Sequence, residues 1–142
     1  NKFTAFQGQS GQQANVQHAA LHCLTNYSFL RGASHPEEMV HQAAELGYTA
    51  LAITDECSMA GAVKAHIAAK SRQIKLIIGS FLTLDQDTNL ILLAKDRQGY
   101  GAIAISSALA DDDQKKANTI FSLKTSKGLT AIFFASGSQV FR

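Results

Sequence analysis

The hydrophobic positions of the chain fall into short continuous runs that are separated by amphipathic segments. These runs predict strands at residues 19–23, 49–54, 75–79, 89–94 and 129–135. Because the runs do not alternate apolar and polar residues, both faces of the strands must be covered. The pattern therefore predicts an α/β fold, with a mainly parallel sheet and helices packed over it. Residues 81–84 extend the sheet toward an expected hairpin turn at 85–87.

The amphipathic segments between the runs predict three helices. The first begins near Pro36, where Ser34 and Glu37 have the spacing of a capping box. The other two are expected at 59–72 and 98–110. In the second helix the apolar residues Ala60, Val63 and Ile67 fall on one side, and Lys64 and Lys70 fall on another.

Length and composition indicate one globular domain. The chain has 142 residues, 46% of them hydrophobic and 17% charged, which suffices to bury a core. Residues 1–17 are rich in glutamine and show no periodicity, so we expect a loose N-terminal arm followed by a single domain at 18–142. No apolar run is long enough to span a bilayer, and the first residues do not resemble a secretory signal. We expect a cytoplasmic protein.

Charge does not point to a nucleic-acid partner. The net charge is +2, from 13 Lys and Arg against 11 Asp and Glu. Phosphate binding requires clustered cations, which the chain lacks. Direct binding of nucleic acid should therefore be weak or absent.

Side chains that could bind a metal follow the first two predicted strands. His22 and Cys23 close the first strand, and Asp55, Glu56 and Cys57 close the second. In parallel sheets these strand ends meet at one rim, where functional residues gather. His22, Asp55 and Glu56 would suit Zn, Mn or Fe, which activate water for phosphoester hydrolysis.

Simpler roles exist for the same residues. Asp55 could cap the following helix, which is a common role of Asp after a strand. His22 could be a buried histidine with satisfied hydrogen bonds, and Cys57 could fill the core. Other sites receive no support, because the sequence has neither a phosphate-binding glycine loop nor a G-x-S-x-G elbow.

Four segments resemble a known family. LHCLTNYSFLRGASHPEE at 21–38 resembles the opening of the PHP (polymerase and histidinol phosphatase) domain, in the form found in error-prone bacterial C-family DNA polymerases. ELGYTALAITDECSMAGAVKAH at 45–66, KLIIGS at 75–80 and LILLAKDRQGYG at 90–101 continue the resemblance in the same order. The resemblance implies a seven-stranded (βα) barrel, of which this chain would form about half. It also implies a metal cluster at the strand ends that serves phosphoester hydrolysis or proofreading.

The metal motifs of that family are matched only in part. His22 matches the first histidine of an H-x-H pair, and Asp55 matches the acidic residue of T-D-H. Four positions depart from the pattern: Leu24 replaces the second histidine, Arg31 an acidic residue, Glu56 a histidine, and Phe81 a glutamate. Since Leu24 and Phe81 cannot bind a metal, the resemblance implies an inactive module without a cofactor.

Three functions remain open. The first is a non-catalytic PHP-like module of an error-prone polymerase III alpha-type subunit, which binds a polymerase or replisome component. The second is a PHP-family phosphoesterase that uses Zn or Mn on His22, Asp55 and Glu56. The third is an unrelated small α/β binding protein. Because half a barrel leaves strand edges open, we also expect a homo-oligomer that buries an edge or the rim near Phe81.

Overall fold

The computed structural model describes residues 18–83, 88–109 and 128–135. Within these residues it contains five strands and three helices at the predicted places, although the first strand spans only Ala19–Ala20 and not 19–23. In chain order they are β1 (Ala19–Ala20), α1 (Pro36–Glu45), β2 (Ala50–Ile53), α2 (Ala62–Arg72), β3 (Lys75–Thr83), β4 (Thr88–Ala94), α3 (Arg97–Leu109) and β5 (Leu129–Ala135). The predicted arm at 1–17 and the turn at 85–87 lie outside the described residues.

The strands form one sheet in the order β1-β2-β3-β4-β5. β1, β2 and β3 run parallel, and Leu51 of β2 lies opposite Leu76 of β3. β4 and β5 are antiparallel to their neighbours, with Phe81 of β3 opposite Ile91 of β4. The α/β class and the three adjacent parallel strands are therefore confirmed, and the hairpin after β3 makes the sheet mixed. Within the described residues β1 and β5 do not pair, so the sheet is not closed into a barrel.

All three helices pack on the same face of this sheet. Leu51 and Ile53 of β2 point into a core formed with α1 and α2. Leu82 of β3 and Leu90 of β4 belong to a second core, which α3 covers through Ile103. The strand register places these residues on one side, because they occupy alternate positions of paired strands.

The opposite face of the sheet is apolar as well. Its cluster combines fully and partly buried side chains: Leu24, Ala52, Ile77, Phe81, Ile91, Leu93 and Ile132. None of the three described helices packs against this cluster. This arrangement, with helices on one side and an apolar sheet surface on the other, is that of an opened βα barrel.

The N-terminus of α1 differs from the prediction by one residue. The backbone N–H of His35 donates to the Glu38 carboxylate at 2.8 Å, so the capping box uses this pair and not Ser34 with Glu37. Pro36 explains the shift, because it is the first helical residue and its neighbour His35 becomes the N-cap.

The buried side of α2 is not the side that carries Ala60, Val63 and Ile67. Val63 and Ile67 are 67% and 65% exposed, and Ala60 is exposed too. The buried residues of this helix are all alanines: Ala62, Ala65, Ala68 and Ala69. Small side chains allow α2 to lie close to α1 and to the sheet, and larger residues take the solvent side. No helix in the described part of the chain is long and apolar enough to cross a membrane.

Candidate functional site

Asp55, two residues beyond the end of β2, organises the rim at the C-terminal ends of the parallel strands. Its carboxylate is 1% exposed and accepts three hydrogen bonds. The backbone N–H and the hydroxyl of Thr25 donate at 2.6 and 2.7 Å, and the hydroxyl of Ser28 donates at 2.7 Å. Buried carboxylates are stable only when they are paired in this way. Asp55 therefore holds the loop that follows β1 against the end of β2.

That loop, residues 24–34, is tightly closed. At its base the N–H of Asn26 donates to the carbonyl of Ser34 at 2.9 Å. At its turn the N–H groups of Arg31 and Gly32 both donate to the carbonyl of Ser28 at 3.0 Å. Gly32 lies so close to the Thr25 carbonyl that a Cβ atom would overlap it. The loop is therefore a fixed part of the rim.

Arg31 and Glu56 form the surface of the rim, and Phe81 lies beneath Arg31. A guanidinium nitrogen of Arg31 lies 3.1 Å from the Glu56 carboxylate. The same guanidinium stands over the Phe81 ring, with Cζ 5.0 Å from the ring centroid. Phe81 itself is only 6% exposed, and its N–H donates to the Asp55 carbonyl at 3.0 Å. Phe81 is thus buried, and it does not offer the exposed contact surface that the sequence led us to expect.

His22 lies at the edge of this group. Its Nδ1 is 2.8 Å from the hydroxyl oxygen of Thr54, and its ring stacks at a tilt on Phe81 with 5.3 Å between centroids. Partial burial and, secondarily, the positive charge of Arg31 lower the pKa of His22 below its usual value. Burial raises the pKa of the neighbouring Cys23 thiol. Both influences on His22 favour the neutral imidazole over the charged form.

The residues predicted to bind a metal do not converge on one point. Both oxygens of Asp55 accept hydrogen bonds, the Glu56 carboxylate faces Arg31, and His22 contacts Thr54. Among residues 18–83, 88–109 and 128–135 no three His, Cys, Asp or Glu side chains could together hold a metal ion. This donor set does not fit a metal ion without rearrangement, and metal binding by these residues stays a prediction.

The simpler roles considered for these residues are also absent. Asp55 does not cap α2, whose N-cap is Gly61. Cys57 is exposed and adopts a positive φ of 47°, so it is not core filler. His22 is an exposed residue whose ring is only partly covered, so it is not a buried histidine.

The sequence reasoning missed the hydroxyl groups that build the rim. Thr25, Ser28, Thr54 and Ser80 are all buried, and each donates or accepts a hydrogen bond beside the strand ends. Ser80, for example, donates to the Asp55 carbonyl at 3.1 Å. In the sequence these residues are marked only by being short polar residues next to a buried apolar run. That pattern is too common to identify a functional site.

Sequence comparison gives matches over most of the chain. A family model described as the PHP domain matches residues 20–142. The error-prone DNA polymerase of Methylococcus capsulatus is 59% identical over 91 residues, which is 64% of this chain and 9% of that protein. The error-prone DNA polymerase of an Azoarcus species is 42% identical over 130 residues, or 74% of this chain and 12% of that protein. The chain thus spans about a tenth of the length of these relatives.

Solved structures give a consistent result for the fold. A candidate metal-dependent phosphoesterase from Bifidobacterium adolescentis superposes with a TM-score of 0.54 at 26% identity, covering 66% of this chain and 32% of that one. An amidohydrolase from Chromobacterium violaceum, with bound sulfate and no metal, superposes with a TM-score of 0.53 at 21% identity. It covers 78% of this chain and 40% of that one, and its similarity concerns the fold alone.

Proposed function

Because the chain belongs to the PHP domain family, we propose that it is a non-catalytic PHP module of the error-prone polymerase type, with a structural role in DNA replication or translesion repair. The similarity to error-prone DNA polymerases supports this context. The observation that carries the proposal is the Arg31–Glu56 ion pair over the ring of Phe81. It places a protein cation at the strand ends, where a catalytic member of the family would hold metal.

The chemistry of this pair favours a permanent arrangement. A guanidinium is always charged and combines well with both a carboxylate and an aromatic face. Arg31 and Glu56 are partly exposed, with side chains 46% and 32% accessible, so their ion pair adds only about 0–1 kcal/mol of stability. Its main effect is to neutralise Glu56 and to cover Phe81.

Asp55 supports the same conclusion. A carboxylate that activates water or binds an ion needs an oxygen directed at the reacting group. In this chain the oxygens of Asp55 accept hydrogen bonds from Thr25 and Ser28 within a closed loop. The most deeply buried acid of the rim therefore has a structural role.

Elemental analysis of the purified chain, combined with thermal unfolding, tests the proposal. We expect substoichiometric metal and the same unfolding midpoint with and without a chelator. Arg31→Ala should lower the midpoint slightly. The matched control is Lys64→Ala, which removes a cation 5.9 Å from the Tyr27 ring and 3.9 Å from the Glu37 carboxylate. Two or more transition-metal ions per chain, together with unfolding that a chelator promotes, would overturn the proposal.

A metal-dependent phosphoesterase is the second candidate. The superposition on the Bifidobacterium adolescentis protein at 26% identity favours it. In this case His22, Asp55 and Glu56 would bind Zn or Mn after the loop hydrogen bonds rearrange. Turnover of a phosphodiester with added Mn or Zn, abolished by His22→Ala and by chelation, would support this function.

The polymerase relationship also suggests partners and a location. We propose that the module contacts a polymerase or another replisome component, and that it acts in the cytoplasm, where bacterial DNA is replicated. Direct nucleic-acid binding is expected to be weak because the cations at the rim are paired with carboxylates.

A further inference from the structure

The imidazole of His22 is held by two contacts at the rim. Its Nδ1 lies 2.8 Å from the hydroxyl oxygen of Thr54, and its ring stacks on Phe81 with 5.3 Å between the centroids. The second ring nitrogen, Nε2, makes no hydrogen bond to the described part of the chain. Because His22 is an exposed residue, the protonation of its two nitrogens decides what the ring offers to a ligand.

The hydroxyl of Thr54 has three polar neighbours. Thr54 follows β2 directly and is 0% exposed. Besides Nδ1 of His22, its hydroxyl oxygen lies 3.1 Å from the backbone nitrogen of Cys23 and 3.2 Å from the Cys23 carbonyl oxygen. The backbone N–H of Thr54 donates to the same carbonyl at 2.9 Å. Since a fully buried hydroxyl has to find its partners within the protein, these three neighbours satisfy it among themselves.

Only one arrangement of protons turns all three contacts into hydrogen bonds. A hydroxyl donates one proton and accepts at two lone pairs, and the Cys23 N–H can only donate, so it occupies one lone pair. If Nδ1 of His22 carries a proton, it donates to the other lone pair and the hydroxyl donates to the Cys23 carbonyl. If Nδ1 is bare, the hydroxyl proton goes to Nδ1. Two oxygens then remain 3.2 Å apart with no proton between them.

We propose that Thr54 is a positioning residue that holds His22 as its Nδ1–H tautomer and so presents the lone pair of Nε2 at the rim. In a neutral imidazole one nitrogen carries the proton, and a proton on Nδ1 therefore leaves Nε2 bare. A bare nitrogen accepts a hydrogen bond or a proton. The ligand chemistry that fits it is a hydroxyl group, or another hydrogen-bond donor, brought to the rim. This role of Thr54 requires neither a metal nor the structural function proposed above.

His41 on α1 provides an internal reference with the opposite tautomer. Its Nδ1 lies 3.0 Å from a guanidinium nitrogen of Arg72. A guanidinium always carries its protons and can only donate, so Nδ1 of the neutral His41 ring accepts and the ring proton lies on Nε2. The two histidines of one chain should therefore differ in tautomer under identical solution conditions.

Nitrogen NMR of the isotope-labelled imidazole rings tests the assignment at about pH 8, above the usual histidine pKa of about 6.5. A bare ring nitrogen resonates far downfield of a protonated one, and couplings to the ring hydrogens identify the nitrogen. We expect the downfield signal at Nε2 of His22 and at Nδ1 of His41. The variants His22→Gln and His41→Gln assign the two rings. A downfield Nδ1 in His22, or averaged shifts at both of its nitrogens, would overturn the proposal.

Two variants of Thr54 test its role in positioning the ring. Thr54→Ser retains the hydroxyl and should leave the His22 signals unchanged. Thr54→Val keeps the shape of the side chain but removes the hydroxyl, so both His22 nitrogens should move toward averaged shifts while those of His41 stay in place. Unchanged His22 shifts in folded Thr54→Val would refute the role of Thr54. If Thr54→Val does not fold, the spectra of the unmodified chain and of Thr54→Ser decide. Failure of the structural function shows instead as stoichiometric metal, so the two failures are distinguishable.

Discussion

The substitution Asp55→Asn tests whether the rim is built around one buried carboxylate. It preserves the size and shape of the side chain but removes its charge. It also replaces one acceptor oxygen with an amide group that can only donate. In the native chain each carboxylate oxygen of Asp55 faces a donor: Oδ1 accepts from the Thr25 N–H and the Ser28 hydroxyl, and Oδ2 accepts from the Thr25 hydroxyl. The change therefore places donor against donor within a closed site.

The expected cost follows from the hydrogen bonds that Asp55 accepts. A hydrogen bond to a charged group contributes about 1.5–3 kcal/mol net, and Asp55 accepts three. Asparagine retains one oxygen, and the Thr25 hydroxyl can rotate to accept from the new amide. The Thr25 hydroxyl already accepts from the Tyr27 N–H at 3.2 Å. The new hydrogen bond from the asparagine amide therefore replaces the lost one only in part. We expect the free energy of unfolding to fall by about 2–4 kcal/mol, a large fraction of the 5–15 kcal/mol typical of domains.

Urea unfolding followed by far-UV circular dichroism at neutral pH measures this cost. Asp96→Asn is the matched control, because Asp96 is exposed and accepts one hydrogen bond, from the Gly99 N–H at 2.9 Å at the start of α3. Asp and Asn are nearly equivalent at such a position, so the control should change stability by a few tenths of a kcal/mol.

A double-mutant cycle with Ser28→Ala checks that the cost arises at the proposed contact. Ser28→Ala alone should destabilise by about 1–2 kcal/mol, and by less in the Asp55→Asn background, because the partner is already altered. If Asp55→Asn remains within 0.5 kcal/mol of the unmodified chain, or if the two effects simply add, the carboxylate does not organise the loop.

Three further outcomes are expected. Leu30→Gly should raise the free energy of unfolding by about 1 kcal/mol, because glycine accepts the φ of 60° without a Cβ penalty; an unchanged urea midpoint would contradict this. Gly32→Ala should destabilise by more than about 2 kcal/mol in the same assay, since its Cβ would overlap the Thr25 carbonyl. The lowered pKa of His22 means that the unfolded chain binds a proton first, so unfolding should become easier as pH falls below 6.5 and level off below the depressed pKa. His22→Gln should remove that part of the pH dependence, and an identical pH profile for this variant would refute the assignment.

The fold could be predicted because its signals are local. The run at 49–54 is apolar and the next residues are polar, so both the strand and the position of Asp55 at its end follow from the sequence. The buried side of α2 could not be predicted in this way. Hydrophobicity ranks Val63 and Ile67 above alanine, but the close approach of two helices requires small residues and leaves the larger ones in solvent.

The site was predictable only in its location. The rim that carries His22 and Asp55 follows from the order of strands, but the partners of Asp55 come from a loop about thirty residues earlier in the chain. Residue spacing does not encode such a contact. Arg31 and Glu56 were each recognised as departures from the family pattern, but their pairing over Phe81 depends on a loop geometry that only the structure provides.

The agreement between sheet order and chain order has a kinetic consequence. Each strand of the described sheet pairs with the strand that precedes it in sequence, so no pairing has to wait for a strand that is synthesised later. The two parallel pairs nevertheless join distant residues, Ala19 with Ala50 and Ala50 with Lys75, so loop entropy is lost before these contacts form and their pairing is expected to be slow. During synthesis, β1, β2 and β3 with their two helices could assemble as they leave the ribosome, and β4 and β5 could then be added in turn. Folding of this sheet would then proceed in the direction of translation.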